Sequence, residues 1–365
     1  MQPYFVWGKS LLYLNYLLYL IVLCNFRVKD IKELVYFFIF VLIFAIPPIV
    51  QGNNLFGLLN CVMVVLLFFT RKDYIEQSYR YFTVIMSATM AISILMWILI
   101  SIGIPISGEM IEPLNDVKLT QYMAFPFLVV KMDIDDMISM LRFGGMFDEP
   151  GVVGTINFLM LVINKFNLKK WYNIILLIGG ILSMSLFFYI GVAVYIILTY
   201  IIDTQRPILR RMSVLILLIA CGVALVKIPA TSELIVGRLE FDSTTNTIKG
   251  DNRSDVYLSS YIESIKGTPE YYWGVNNKAI VESFSENAGY RNAILLYGAV
   301  FMILYIAMFG VYGYQYSNNI WRWCIMMVVM LITLYQRPGF MHKEYIFLFI
   351  CLFRINDYNK LSHEL

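Results

Sequence analysis

Apolar residues arrive in long blocks along this chain, and the blocks are separated by short polar joints. The blocks fall at 4–26, 34–50, 55–70, 81–104, 152–166, 172–186, 187–202, 212–230, 291–316, 320–336 and 344–355. A helix needs about 20 apolar residues to cross the hydrocarbon core of a bilayer, so the pattern predicts about eleven transmembrane helices (10–12). Tyr172–Ile202 is one unbroken run, too long for one upright helix and short for two. Ser183, Ser185 and Gly191 near its middle predict a tight turn that divides it. The predicted fold class is an all-α, polytopic integral membrane protein, with 1–365 forming one transmembrane domain.

Composition agrees with the pattern. The chain is 59% hydrophobic and 15% charged, with a mean hydropathy of +0.70. A soluble domain cannot bury that much apolar surface, so lipid must solvate much of it. No basic n-region followed by a small-residue cleavage site opens the chain, and the first span is read as retained. Cys24, Cys61, Cys221, Cys324 and Cys351 sit in apolar runs without a CxxC pair, which reads as small buried hydrophobes. With His342 and His363 as the two histidines, a histidine-based metal cluster is not expected, and neither is a nucleic-acid partner.

The charged joints give an orientation. Arg27/Lys29/Lys32, Arg71/Lys72/Arg80, Lys165/Lys169/Lys170 and Arg206/Arg210/Arg211 recur at every second connection. Together with Arg322, Arg354 and Lys360 they make 15 of the 28 basic residues, and such loops mark the cytoplasmic side. Two long polar intervals, 105–151 and 231–290, then lie outside the cytoplasm, with the short Arg337–Glu344 joint.

Chemistry concentrates in those outer segments. The first ends in Arg142-Phe143-Gly144-Gly145-Met146-Phe147-Asp148-Glu149-Pro150-Gly151. Pro150 suits the first turn of the next helix, and Glu149 then stands near its N-cap, where a carboxylate answers the helix dipole. Arg142, beside two aromatics and two glycines at a membrane face, points to a bound anion. Asp133-Ile134-Asp135-Asp136 contains a DxD, which in soluble glycosyltransferases holds a metal and a nucleotide sugar. Nucleotide sugars are cytoplasmic and this loop is placed outside, so the triplet reads as a helix start or solvated face.

The larger interval carries a complete helix grammar from Asn252 to Gly267. Asn252 can cap the start with Asp255 three residues on, Lys266-Gly267 end it, and Pro269 forbids continuation. Tyr257, Leu258, Tyr261, Ile262 and Ile265 make one apolar face. Arg253 then falls in the first turn, where free N–H groups favour an anion and a guanidinium adds two parallel hydrogen bonds to a phosphate. Tyr271-Tyr272-Trp273-Gly274 follows as an aromatic turn. Such rings pack on the C–H faces of sugars, though they also serve as interfacial anchors. A second short helix is expected to end at Glu286-Asn287, and Gln336 through Glu344 adds Arg337 and His342 on the same side.

These stretches carry a resemblance. The chain resembles the bacterial O-antigen and capsular-polysaccharide polymerases of the Wzy type, whose superfamily includes the O-antigen ligases. The resemblance rests on three features. They are Arg142-x-Gly-Gly-x-Phe followed by Glu149-Pro150, a large late loop with Asn252-Arg253-Ser254-Asp255 and a Gly274 turn, and Tyr290 through Gly298 opening the next span. The ligases carry His-Asn at the end of the large loop, where this chain has Glu286-Asn287, which favours polymerase over ligase.

The resemblance implies a membrane glycosyltransferase of the C-like class in a bacterial inner membrane, with its site on the extracytoplasmic side. Its donor would be a glycan on undecaprenyl diphosphate and its acceptor a lipid-linked repeat unit, with a chain-length regulator membrane protein as a further partner. Attack by an acceptor hydroxyl would expel lipid diphosphate, a charge that arginines can stabilise without a metal or cofactor. Arg142, Arg253 and Arg337 are the candidates for that role. Glu149, Glu286 and His342 compete for the hydroxyl proton, and Tyr271, Tyr272 and Trp273 for the sugar. The alternative is a transporter or flippase for a lipid-linked or small anionic solute. It would place charged residues inside the spans, which hold few (Lys9 and Lys227 lie near ends).

Overall fold

In the computed structural model, the described residues are 3–6, 21–28, 30–50, 55–112, 121–132, 142–202, 207–227, 241–242, 247–248, 256–277, 280, 284, 290–317, 319–336 and 343–355. The chain is mostly helical. Helices α1 (Ile31–Val50), α2 (Leu55–Phe68) and α3 (Lys72–Ser101) come first, then a three-stranded sheet of β1 (Glu109–Ile111), β2 (Gln121–Phe125) and β3 (Leu128–Met132). Next are α4 (Pro150–Ile163), α5 (Trp171–Leu182), α6 (Leu186–Ile196, continued as a π-helix over Ile197–Ile201) and α7 (Ile208–Lys227). A two-stranded ladder, β4 (Phe241–Asp242) and β5 (Thr247–Ile248), precedes α8 (Val256–Ile265) and α9 (Pro269–Trp273). The described chain closes with α10 (Tyr290–Tyr316), α11 (Ile320–Gln336) and α12 (Lys343–Arg354).

Three of these helices, α1, α3 and α10, are long and apolar enough to cross a membrane, and several shorter apolar helices accompany them. From residue 31 onward, the helix boundaries follow the apolar blocks except at 81–104, where α3 begins nine residues earlier at Lys72 and takes Arg80 into the helix. The long run at 172–202 breaks at Ser183–Ser185, where Met184 takes a left-handed φ of 46° and Ser183 Oγ donates to the Gly180 carbonyl at 2.7 Å. Gly191, grouped with that turn on sequence, is instead inside α6 against the Phe158 ring.

Other expectations need correction. The block at 4–26 does not begin as a span, because Tyr4–Val6 forms a short 3-10 turn. The Tyr4 N–H donates to the Met146 carbonyl and its hydroxyl to that of Phe125 (2.9 and 2.7 Å). Residues 7–20 lie outside the described residues. An all-α reading omits the two small sheets, both antiparallel, with Tyr122 opposite Lys131 and Ala124 opposite Val129 in the larger one. Cys24 lies on the surface, while Cys351 is buried.

The chain divides into two compact units, residues 1–11 with 78–239 and residues 12–77 with 240–365. In the first, α4 is buried along nearly its whole length and packs on α5 and α6. The close approach is made by small residues, since a Cβ at Gly180 would stand 2.2 Å from the Phe188 ring and one at Gly154 2.5 Å from Ser185. In the second, α1 packs on α2 and α10, and α10 packs on α11 and α12. Its interior is largely aromatic.

Candidate functional site

The Arg142–Glu149 segment belongs to the first unit and is built as a tight, buried turn. Gly145 adopts φ 55°, and the Phe147 N–H closes onto the Gly144 carbonyl at 3.1 Å. Three other parts of the unit bond to its backbone. The Val129 N–H donates to Gly145 at 2.8 Å, the Tyr4 N–H donates to Met146, and the Phe143 N–H donates to Leu182 at 3.2 Å. Phe143, Met146 and Phe147 are buried, with Trp97 edge-on to Phe143 at 6.3 Å. The aromatics that made Arg142 look like part of a ligand pocket are therefore core side chains. Arg142, Asp148 and Glu149 remain half-buried at the margin of that core.

Glu149 is the N-cap of α4, in extended conformation (φ −129°, ψ 127°), with Pro150 in the first turn. That matches the helix-start reading of Glu149-Pro150. Its side chain makes no capping hydrogen bond to the helix, so the carboxylate serves α4 through the dipole rather than by a direct bond.

The aromatic turn belongs to the second unit. Helix α8 buries Leu258, Ile262 and Ile265 in a small core with Val275 and Leu295, and Tyr261, Tyr271, Ile280 and Phe284 pack around it. The burial phase is narrower than the predicted face, because Tyr257 is 79% exposed. Tyr261 and Phe284 rings lie 5.6 Å apart. Burial, and then the nearby Glu270, push the Tyr261 hydroxyl above its ordinary value and keep it a proton donor. Helix α8 ends as expected at Lys266-Gly267, where Gly267 takes φ 83° and Lys266 pairs with Glu263 at 2.5 Å. Pro269 does more than stop α8, since it stands in the first turn of α9 after Thr268.

What fixes the aromatic turn is a backbone-to-backbone approach that sequence reading did not find. Gly274 (φ 93°) ends α9, and Gly298 (φ 82°) interrupts α10 with a kink. A Cβ at Gly298 would lie 2.3 Å from the Tyr272 carbonyl oxygen, and one at Gly274 would lie 2.8 Å from that of Leu296. The Val275 N–H donates to the Leu295 carbonyl at 2.8 Å, which completes the clamp. Only glycine fits both positions, by conformation and by space. The two glycines are 24 residues apart, so no local pattern links them. Clamped there, Tyr272 and Trp273 are 44% and 47% exposed, while Tyr271 turns inward toward the α8 core.

The remaining proposed site residues, Arg253, Glu286, Arg337 and His342, lie outside the described residues, as do the Asn252 cap and the Asp133–Asp136 stretch. Arg142 and Glu149 sit together in the first unit, and Tyr271–Trp273 in the second. One cluster of charges that the sequence used only for orientation proves to line a cavity, around Arg354. Comparison of the chain with family models, curated proteins and solved structures finds no match.

Proposed function

We propose that this chain is a membrane glycan polymerase. It would transfer a growing glycan from undecaprenyl diphosphate onto a lipid-linked repeat unit at the outer face of a bacterial inner membrane. In this reading about eleven spans cross the bilayer, and the 105–151 and 231–290 intervals lie outside the cytoplasm. The observation that carries it is the clamped turn, where Tyr272 and Trp273 stand exposed on a fixed backbone beside an apolar helix. Rigid aromatic faces held at a membrane surface suit a sugar chain that must be positioned and then advanced, because ring stacking tolerates sliding where hydrogen bonds do not.

The chemistry assigned to the loops follows from charge. The leaving diphosphate gains negative charge as the glycosidic bond breaks, and preorganised guanidinium groups stabilise that charge. Arg253, three residues before α8 in sequence, is the first choice, and Arg142 and Arg337 are the other candidates. Glu149, Glu286 and His342 are the groups that can take the acceptor hydroxyl proton.

The test is a reaction with the purified full chain and lipid-diphosphate repeat units. The wild type should give a ladder of product lengths, and Arg253→Ala should abolish the ladder with an unchanged amount of protein in the membrane. Normal chain lengths in Arg253→Ala would remove the diphosphate role. Movement of the lipid-linked unit across the bilayer with no new glycosidic bond would instead support the transporter.

A further inference from the structure

We propose that a basic cavity in the second unit, separate from the outer loops, holds the phosphate of an anionic phospholipid headgroup. This inference needs only that the helices lie in a membrane and is independent of the glycan reading. The cavity, of about 250 Å³, is lined among others by Arg27, Glu33, Arg71, Lys72, Asp73, Tyr316 and Arg354. Four cations thus face two carboxylates.

Local structure explains how the cavity forms. The joint before α1 and the joint after α2 pair as a short antiparallel bridge between Phe26 and Thr70, with the Arg27 N–H donating to the Phe69 carbonyl at 3.2 Å. Arg354, in the last turn of α12, reaches under this bridge. Its Nη1 donates to the Thr70 carbonyl at 2.6 Å and the Phe68 carbonyl at 3.4 Å, and its guanidinium lies 4.7 Å from the Tyr316 ring centroid. Carbonyls at the end of α2 are natural partners for a cation.

The charge balance is what points to a ligand. Arg354 is only 6% exposed, and its Nε meets no acceptor among the described residues. Every partner it has there is formally neutral. A buried guanidinium without a counter-charge carries a desolvation cost that neutral acceptors offset only in part. Of the two acids of the wall, Asp73 is engaged by Arg71. Arg71 holds Asp73 with two hydrogen bonds (3.2 and 2.6 Å), which also pushes the Arg71 guanidinium above its ordinary value. Lys72 leans on Glu76 at 3.4 Å. Arg27 and Arg354 therefore have no carboxylate partner among the described residues, and Glu33 is the one acid of the wall opposing them.

A phosphate fits this arrangement, since forked N–H groups match its oxygens and its charge answers the excess. A lipid source is favoured over free phosphate by position. The cavity opens where α1 and α3 begin and α10 ends, and these are the three helices able to cross a membrane. Ile31, Leu34 and Val35, flanking Glu33 on α1, are exposed apolar side chains that acyl chains would cover. Basic pockets between helix ends are a known physical solution for headgroup binding.

The experiment uses the purified full chain in neutral detergent. It measures thermal unfolding and lipid retention by native mass spectrometry with phosphatidylglycerol, phosphatidylcholine or inorganic phosphate. Phosphatidylglycerol should raise the unfolding temperature and stay bound. Arg354→Gln and Arg27→Gln should each weaken retention about fivefold, on the order of one surface cation's share of headgroup attraction. Arg27 is exposed, so its variant folds and keeps the test valid if Arg354→Gln does not. Unchanged retention in Arg27→Gln, equal binding of phosphatidylcholine, or equal protection by inorganic phosphate would each overturn the proposal.

Discussion

The two units hold their helices together by different means. In the first, buried asparagines bridge the elements. The Tyr79 hydroxyl donates to Asn164 Oδ1 at 3.0 Å, Asn164 Nδ2 to Asn173 Oδ1 at 2.6 Å, and Asn173 Nδ2 to the Asn167 carbonyl at 2.8 Å. Asn157 Nδ2 reaches from α4 to the Leu176 carbonyl of α5 at 3.0 Å. In the second, rings replace amides. Phe68 lies 5.1 Å from both Phe309 and Tyr312 and 5.3 Å from Phe40, and Phe309 continues the contact to Phe349 at 5.6 Å. Lipid tails are as apolar as leucine, so apolar character alone does not drive helices together in a membrane. The first unit answers with small residues and hydrogen bonds, the second with the area and shape of aromatic packing.

That contrast can be broken. Phe68→Ala removes the ring at the centre of the aromatic interior, where Phe68 is fully buried. A loss of about 3–5 kcal/mol is expected, the range for large-to-small core changes. Unfolding of the purified protein by mixed detergent and denaturant would read it. Gly180→Leu tests the close approach in the first unit. Its side chain would meet the Phe188 ring, and overpacking of this kind costs about 1–3 kcal/mol. Selective proteolysis within residues 171–196, with the α10–α12 region protected, is the expected signature. Asn164→Leu has the smallest effect, about 0.6–1.7 kcal/mol by the range for hydrogen bonds between membrane helices. If Asn164→Leu proved costlier than Phe68→Ala, the asparagines rather than the rings would dominate, and the comparison would reverse.

Much of this architecture was legible because apolar blocks and helix boundaries share a cause. The break at Ser183–Ser185 followed from length and two serines, although the left-handed Met184 did not. The hairpin of β2 and β3 was hidden for a physical reason. Its turn is Pro126-Phe127, without the Asn-Gly or Asp-Gly signal that marks short hairpins. Phe127 takes a φ of 57° that is unusual for a bulky residue. Tertiary contacts hold it there, with the Ser93 hydroxyl donating to its carbonyl and Phe5 edge-on to its ring. Of the site residues, Glu149 was placed by the local rule for a helix start, whereas Tyr271–Trp273, expected on a turn, belong to the short helix α9 and the chain turns at Gly274. The assignment of Tyr257 to the buried face failed because an apolar pattern does not say how wide the buried stripe is. The glycine clamp failed to appear because its halves are far apart in sequence.

The clamp also decides what the aromatic turn moves with. Because Gly274 and Gly298 bring two backbones into contact, Tyr272 and Trp273 are tied to the kinked start of α10 as well as to the α8 core beside them in sequence. A tilt of residues 290–297 would sweep both rings in the same direction, as a lever carries its tip. In a variant that keeps Trp273 as its single tryptophan, that ring would be an optical reporter on α10, its anisotropy registering motion of the helix end.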